Sequence, residues 1–348
     1  MTVKLSIVAP CYNEEKCLDT LYARVSAVAR AVAGDDHEIV LINDGSKDAT
    51  WAALQRLAAA DPRVTAINLS RNHGHQLALT AGLDLARGEH ILVIDADLQD
   101  PPELLPDMLD MMKREDADVV YAVRRARAGE SYAKKATAAL FYRLLARLTD
   151  TNIPLDTGDF RLMTRRALDT FLALPEQARF IRGMVAWVGF RQVPFAYDRD
   201  PRLAGETHYP LAKMMRLAFD AITGFSTAPL RFASHAAVVL TGASLLLMAY
   251  ITFGFFTGRA LQGWTSTMLV VVGLGAVQMF VLGMIGEYLG RLYVEVKHRP
   301  LYIVSDVIGG AREGSRLGHR ADRPSYAEAG RTIASNETPG GIGTRPTK

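Results

Sequence analysis

The sequence predicts an α/β protein, with a mostly parallel sheet covered by helices on both faces and two membrane-crossing helices towards its C-terminal end. Three observations carry that prediction. Residues 5–123 alternate short apolar runs with amphipathic stretches, the pattern of successive strand–helix units. Each of the first four apolar runs ends in a polar or acidic cluster. Further on, residues 236–256 and 264–285 carry no charge at all and are each long enough to cross a bilayer.

Size and charge bound the possibilities. A chain of 348 residues can bury a sizeable core and hold more than one structural part. The formal net charge of +3 gives no reason to expect a nucleic-acid partner. The two cysteines, Cys11 and Cys17, form neither a disulfide framework nor a metal knuckle and fit a reducing compartment. The N-terminus runs directly into an apolar strand, so no cleavable leader is predicted.

The elements follow in order. Residues 5–9 read as a buried strand, followed by a helix whose apolar positions Leu18, Leu21, Tyr22, Val25, Val28, Ala29 and Val32 recur at helical spacing. Strands are predicted over 38–42, 64–69, 89–94 and 118–123, and helices over 49–60, 76–86 and 102–115. Pro101 and Pro102 stop the fourth strand and favour the start of the next helix.

In a sheet of this class, ligands sit beyond the carboxyl ends of the strands. The fourth strand runs into Asp95-Ala96-Asp97-Leu98-Gln99-Asp100. Two carboxylates one residue apart, beside an amide oxygen, suit a hard divalent cation that also grips a diphosphate. The other strands end in Pro10-Cys11-Tyr12-Asn13-Glu14, Asn43-Asp44-Gly45-Ser46 and Ser70-Arg71-Asn72-His73-Gly74-His75. Tyr12 can stack on a base, and Glu14 and Asp44 can accept hydrogen bonds from a base edge or ribose. Gly74, at the start of a helix, lets backbone N–H groups approach a phosphate. Neither G-x-G-x-x-G nor G-x-x-x-x-G-K-[ST] is present, so a dinucleotide fold and a P-loop are unsupported. Taken singly, Asp44-Gly45 is an ordinary turn and His73 or His75 a surface histidine. Four such ends on one rim fit a nucleotide-sugar and its metal.

These motifs resemble the GT-A (Rossmann-like) fold of family 2 glycosyltransferases, and more closely their polyisoprenyl-phosphate, dolichyl-phosphate-mannose synthase-like branch. The resemblance continues through Leu155-Asp156-Thr157-Gly158-Asp159-Phe160-Arg161, Phe180-Ile181-Arg182-Gly183-Met184, Ala204-Gly205-Glu206-Thr207-His208-Tyr209 and Gly286-Glu287-Tyr288-Leu289-Gly290-Arg291. It spans roughly residues 3–303. It implies that Asp97 and Gln99 ligate Mg²⁺ or Mn²⁺, that Asp95 supports ribose and metal, and that Asp44 holds the base. Pro10, Tyr12, Glu14 and Gly74 complete the nucleotide-sugar set. The implied reaction moves a hexose, with inversion, from a nucleotide diphosphate to a polyprenyl phosphate at the membrane. By resemblance to bacterial enzymes with two carboxy-terminal spans, UDP-glucose is the first donor to expect. GDP-mannose, UDP-GlcNAc and UDP-amino-pentose are alternatives.

The acceptor side is read from charge. A basic segment, 124–147, leads into an amphipathic helix; most of its charges suit a solvated face, while Arg124 and Lys134 suit an acceptor phosphate beside an anionic membrane. Alanine at Ala122 departs from the glycine usual in the family. Asp156 and Asp159 are expected in a glycine-containing turn, with Asp159 at the catalytic centre, either positioning the acceptor or removing a proton. Residues 197–210 read as a loop able to close over a cleft, with Arg199, Arg202 and His208 facing phosphates. His208 replaces a lysine usual in the family, which makes that contact weaker or pH-dependent.

The expected organisation is a catalytic domain over 1–210, an interfacial amphipathic helix over 211–230, two spans within 231–290, a segment over 291–304 that returns to the domain, and a disordered tail over 305–348. Basic residues outside the spans outnumber the single Arg259 between them, which puts the catalytic domain and both termini in the cytoplasm. Gly286 and Gly290 permit close helix packing, including between two copies of the chain. Two other readings differ in chemistry. A processive polysaccharide synthase is disfavoured, because no Gln-x-x-Arg-Trp signature occurs and two spans are few for a channel. An inactive nucleotide-sugar-binding scaffold is disfavoured by the intact Asp95, Asp97, Gln99 and Asp159.

Overall fold

A computed structural model describes residues 3–124, 157–198, 228–257 and 263–310, and the chain divides into two compact units. The first comprises Met1–Val119, Arg161–Pro175 and Pro300–Lys348. Its centre is four parallel strands: β1 (Leu5–Cys11), β2 (His37–Asn43), β3 (Val64–Leu69) and β4 (His90–Val93). All seven positions of β1 and of β2 are buried, which is why neither alternates apolar with polar residues. Helices α1 (Leu18–Ala33), α2 (Thr50–Ala60), α3 (His75–Leu85) and α4 (Leu105–Arg114) connect the strands as expected.

Register decides where the strand ends fall. Cys11 is level with Asn43, and Asn43 with Asn68, while Val8 is level with Val93. Residues 11, 43 and 68 therefore share one rim, and Asp95, two past Val93, reaches the level of Pro10. At the other end of the sheet the buried Glu38 accepts from Ser6 Oγ at 2.6 Å and from the Arg87 backbone N–H at 2.6 Å. Arg87 Nη2 lies 2.7 Å from the same carboxylate. That ties β1, β2 and the entry to β4 together away from the rim.

Two antiparallel neighbours extend the parallel core. The C-terminal part of β6 (Thr157–Thr164) pairs with β4, Arg161 opposite Val93, and α5 (Arg165–Ala173) follows it. On the far edge, β8 (Val304–Gly309) pairs with β3, Asp306 opposite Asn68. This corrects the expected tail boundary. Residues 304–309 are a strand, because Val304, Val307 and Ile308 cover an edge that β3 would otherwise leave unpaired. Only 311–348 of the predicted tail lie outside the described residues.

Other boundaries move for local reasons. The helix expected over 102–115 begins as a 3₁₀ turn, Pro102–Leu104, and becomes α-helical at Leu105, with Pro106 in its first turn, where a missing N–H does no harm. Asp159 lies within β6 and not in a turn. Phe160 and Leu162 are fully buried and keep that segment extended.

The second unit comprises Val120–Phe160 and Glu176–Arg299. It holds most of β5 (Val119–Arg124), the start of β6, α6 (Ile181–Val188), β7 (Gln192–Tyr197), α7 (Ala228–Phe256) and α8 (Trp264–Val296). The strand order here is β7-β5-β6, and Phe160 meets Tyr197 edge to face at 5.7 Å. Helices α7 and α8 pack together and expose large apolar side chains, among them Leu246, Phe253, Met279 and Leu282. Among the described residues one segment, Val270–Val296, is long and apolar enough to cross a membrane; the apolar stretch of α7, Phe232–Leu247, is shorter. The expectation of two spans is met in the structure for α8 alone.

Candidate active site

The polar rim of the first unit is built by stitching the β1 and β2 loops together. Asn13 N–H donates to Ser46 Oγ at 3.0 Å, and Lys47 N–H to Asn13 Oδ1 at 2.9 Å. Glu14 N–H donates to Thr50 Oγ1 at 2.9 Å, and Ala49 N–H to Glu15 Oε2 at 2.9 Å. Asn13 takes a positive φ of 56°, which asparagine tolerates better than most residues. Burial pushes the Asp48 carboxyl up, but hydrogen bonds from Thr50 and from the Glu15 backbone outweigh it and hold the group below its ordinary range. The Tyr12 ring is exposed. Pro10 sits within β1, level with Ile42 and buried.

Asp44 is the hinge of the rim. Its side chain is buried, and its two oxygens accept the backbone N–H groups of His73 at 2.7 Å and Gly74 at 3.0 Å. The Gly74 N–H expected to approach a phosphate is therefore already donated to a carboxylate. At Gly74 φ is +94°, and a Cβ there would meet nothing within 4 Å. Gly45 has the opposite constraint. Its φ is +62°, and a Cβ would lie 2.5 Å from the backbone of Arg71 and Asn72. The loop after β3 is thus laid directly on the loop after β2.

The same loop is held from behind by the returning chain. Ser70 N–H donates to Ile303 O at 2.9 Å, and Ile303 N–H approaches His73 Nε2 at 3.4 Å. Tyr302 Oη donates to Asp84 at 2.7 Å. Burial, aided by the charge of Arg71, lowers the proton affinity of His73, with Asp44 opposing. Nothing in the sequence near Ser70 announced this contact, because its partners are some 230 residues away.

Past β4 the chain turns sharply. Leu98 takes a φ of +60°, and Gln99 N–H closes onto Asp97 Oδ1 at 3.2 Å. Asp100 is completely buried. His75 Nε2 comes within 3.5 Å of Asp95 Oδ1, which places a histidine beside the acidic loop. Among the described residues no group of three or more His, Cys, Asp and Glu side chains could hold a metal unaided. The donor chemistry fits a hard cation all the same. Asp97 and Gln99 offer oxygens from one tight turn, and Mg²⁺ typically takes one or two protein oxygens together with substrate phosphates and water.

The second unit holds Asp159, which is 5% exposed. Arg182, in the first turn of α6, sets it: Nε lies 3.3 Å from Asp159 Oδ1, and Nη1 donates to Thr157 O at 2.5 Å. The same guanidinium stacks over Phe180 at 5.7 Å. Arg179 is also buried. The sequence flagged 180–184 only as part of a family resemblance; the ion pair needs β6 and α6 to meet. Arg161, two residues along β6 from Asp159, is buried too. Arg124 ends β5. Lys134, Asp156, Arg199, Arg202 and His208 lie outside the described residues, as do residues 211–227 of the expected interfacial segment, whose last three residues, 228–230, begin α7.

Residues 6–172 match the glycosyl transferase family 2 domain. Over 308 residues the chain is 48% identical to the uncharacterized glycosyltransferase YkcC of Bacillus subtilis (strain 168), covering 88% of this chain and 95% of that one. It is 38% identical over 306 residues to the prophage bactoprenol glucosyl transferase homolog of Escherichia coli (strain K12), covering 88% and 99%. To the bactoprenol glucosyl transferase of Shigella phage SfV it is 37% identical over 305 residues, covering 87% and 99%.

Proposed function

The chain belongs to glycosyl transferase family 2, and from that premise we propose that it moves a hexose, with glucose the first to test, from a nucleoside diphosphate to polyprenyl phosphate at the cytoplasmic face of a membrane. The observation that carries this reading is the extent of the likeness to the bactoprenol glucosyl transferases, which takes in the α/β unit and the apolar helices alike.

The chemistry is a single displacement. An acceptor phosphate oxygen attacks the anomeric carbon while the bond from that carbon to the diphosphate oxygen breaks. The nucleoside diphosphate leaves with the bonding pair, and attack from the opposite face inverts the centre. A phosphate monoester has a second pKa of about 6, so the acceptor is largely ionised at neutral pH and needs little help from a base. A divalent cation held by Asp97 and Gln99 would supply charge neutralisation to the departing diphosphate.

In this reading Tyr12 stacks on the base, and Glu14 and Asp95 receive base or ribose hydroxyls. Asp44 acts on the donor by fixing the backbone of 73–74. Asp159 orients the acceptor, its own carboxylate steadied by Arg182. Arg124, Lys134, Arg199, Arg202 and His208 are the proposed contacts to the acceptor phosphate. Helices α7 and α8 both cross the membrane, with the basic residues Arg291, Lys297 and Arg299 on the cytoplasmic side.

Purified protein in detergent, with undecaprenyl phosphate, Mg²⁺ or Mn²⁺ and a panel of nucleotide-sugars, tests the proposal. A lipid-linked sugar formed from one donor and lost in Asp97→Ala supports it. Nucleotide binding without transfer to lipid from any donor overturns it.

A further inference from the structure

Glu295 breaks a local rule. It is the penultimate residue of α8, and a carboxylate in the last turn of a helix opposes the helix dipole. It also stands at the end of the apolar segment Val270–Val296, where an acidic group would ordinarily turn to water. Instead its two oxygens accept the Gln177 backbone N–H at 2.8 and 3.0 Å, and Oε1 receives the Ala178 N–H at 3.4 Å. A charge placed against its own helix and spent on backbone amides of a distant loop has a tertiary purpose.

The loop it holds leads into α6, whose Arg182 pairs with Asp159. Arg179 N–H returns to Gln177 O at 3.1 Å, and Phe180 caps α6. Arg182 follows in the first turn of α6, with Asp159 at 3.3 Å and the Thr157 carbonyl at 2.5 Å. All of these residues belong to the second unit, so the chain of contacts from Glu295 to Asp159 is continuous within one body. Helices α7 and α8 expose apolar side chains, and Glu295 stands at the end of the apolar segment Val270–Val296; on the polyprenyl-phosphate reading, the lipid tail lies along that surface and its phosphate emerges at that end.

We propose that Glu295 is a positioning residue for the lipid-phosphate acceptor, registering the Arg182–Asp159 pair against the polar end of α8. This rests on the polyprenyl-phosphate reading above. Its role is to fix where the acceptor phosphate is received, and it takes no part in holding the nucleotide-sugar. Its loss therefore separates the two substrates kinetically, which a merely structural role would not do.

The test uses the full chain in detergent or proteoliposomes, with undecaprenyl phosphate and the donor that the wild-type protein uses. Glu295→Ala is expected to raise the KM for the lipid about tenfold or more while the KM for the donor stays within about twofold. Glu295→Gln keeps one amide oxygen for the Gln177 N–H and should fall between the two. An unchanged lipid KM in Glu295→Ala, or an equal rise for lipid and donor, overturns the proposal. If Glu295→Ala does not accumulate as folded protein, Glu295→Gln is judged by the same criterion. Failure of the underlying reading looks different: the wild-type protein itself then makes no lipid-linked sugar, and both inferences fall together. A wild-type protein that makes the product, with variants that leave the lipid KM unmoved, removes only the role of Glu295.

Discussion

Asp44 and His73 lie 29 residues apart and are joined by a 2.7 Å hydrogen bond from the His73 backbone N–H to Asp44 Oδ1. The second oxygen takes the next amide, at Gly74. One buried carboxylate thus carries the conformation of the loop that opens α3. It also explains why an aspartate that reads as an ordinary turn residue is hidden from solvent.

Asp44→Asn keeps one acceptor and turns an amide NH₂ towards the remaining N–H. A hydrogen bond to a charged group contributes about 1.5–3 kcal/mol, so stability should fall by about that much. The donor KM is expected to rise by about tenfold, because the loop loses its geometry. Thermal unfolding in detergent and donor titration measure the two effects separately; an unmoved donor KM would disconnect this loop from nucleotide-sugar binding.

Gly45→Ala should be worse than an ordinary glycine substitution. Its left-handed φ alone costs roughly 1–2 kcal/mol for a side chain, and the added Cβ meets backbone that cannot step aside. We expect a lower unfolding temperature and a loss of donor affinity, both larger than for Gly74→Ala. The Gly74 variant also bears backbone strain, at φ +94° and ψ 150°, but open space surrounds the new methyl group.

Chelation should abolish turnover, and Mn²⁺ or Mg²⁺ should restore it. Asp97→Ala is expected to lose more than about a hundredfold in kcat, with excess metal recovering little of it. Isothermal titration of Mn²⁺ in the presence of the nucleoside diphosphate provides a second readout. Undiminished metal binding in the variant would remove Asp97 from the ligand set.

His73 gives the rim a pH dependence with a definite sign. Burial and Arg71 lower its proton affinity in the folded protein, against an ordinary value near 6.5 in the unfolded chain. The unfolded state therefore binds the proton more readily, so the stabilisation is complete above about pH 6.5 and is lost as pH falls towards the folded value. Protonation also removes the Nε2 lone pair that faces the Ile303 N–H. The unfolding temperature should drop between about pH 7.5 and 5.5, and His73→Gln should flatten that drop. Parallel profiles for the two proteins would assign the acid sensitivity elsewhere.

The strand–helix order, the parallel core and the clustering of polar strand ends were legible from local pattern. Leu5 to Ala9 is apolar but for Ser6 because both faces of β1 are covered, and register needs only matched strand lengths to bring Asn13, Asp44 and His73 to one rim. The polar turn that holds Asp97 and Gln99 was legible for the same reason, because it closes on itself through a local hydrogen bond.

What the sequence by itself determined was therefore whatever depends on neighbours along the chain: element type, the acidic turn after β4, and the uncharged length of the helical segments. Tertiary structure alone decided that residues 304–309 are an edge strand on β3, that the Gly74 N–H belongs to Asp44, that His75 stands beside Asp95, and that Glu295 holds the loop leading to Arg182. Each of these joins residues from about 20 to more than 200 positions apart. Hydrogen bonds and ion pairs carry no periodicity to read in advance; they are fixed by which backbone amides the fold leaves within reach of a carboxylate.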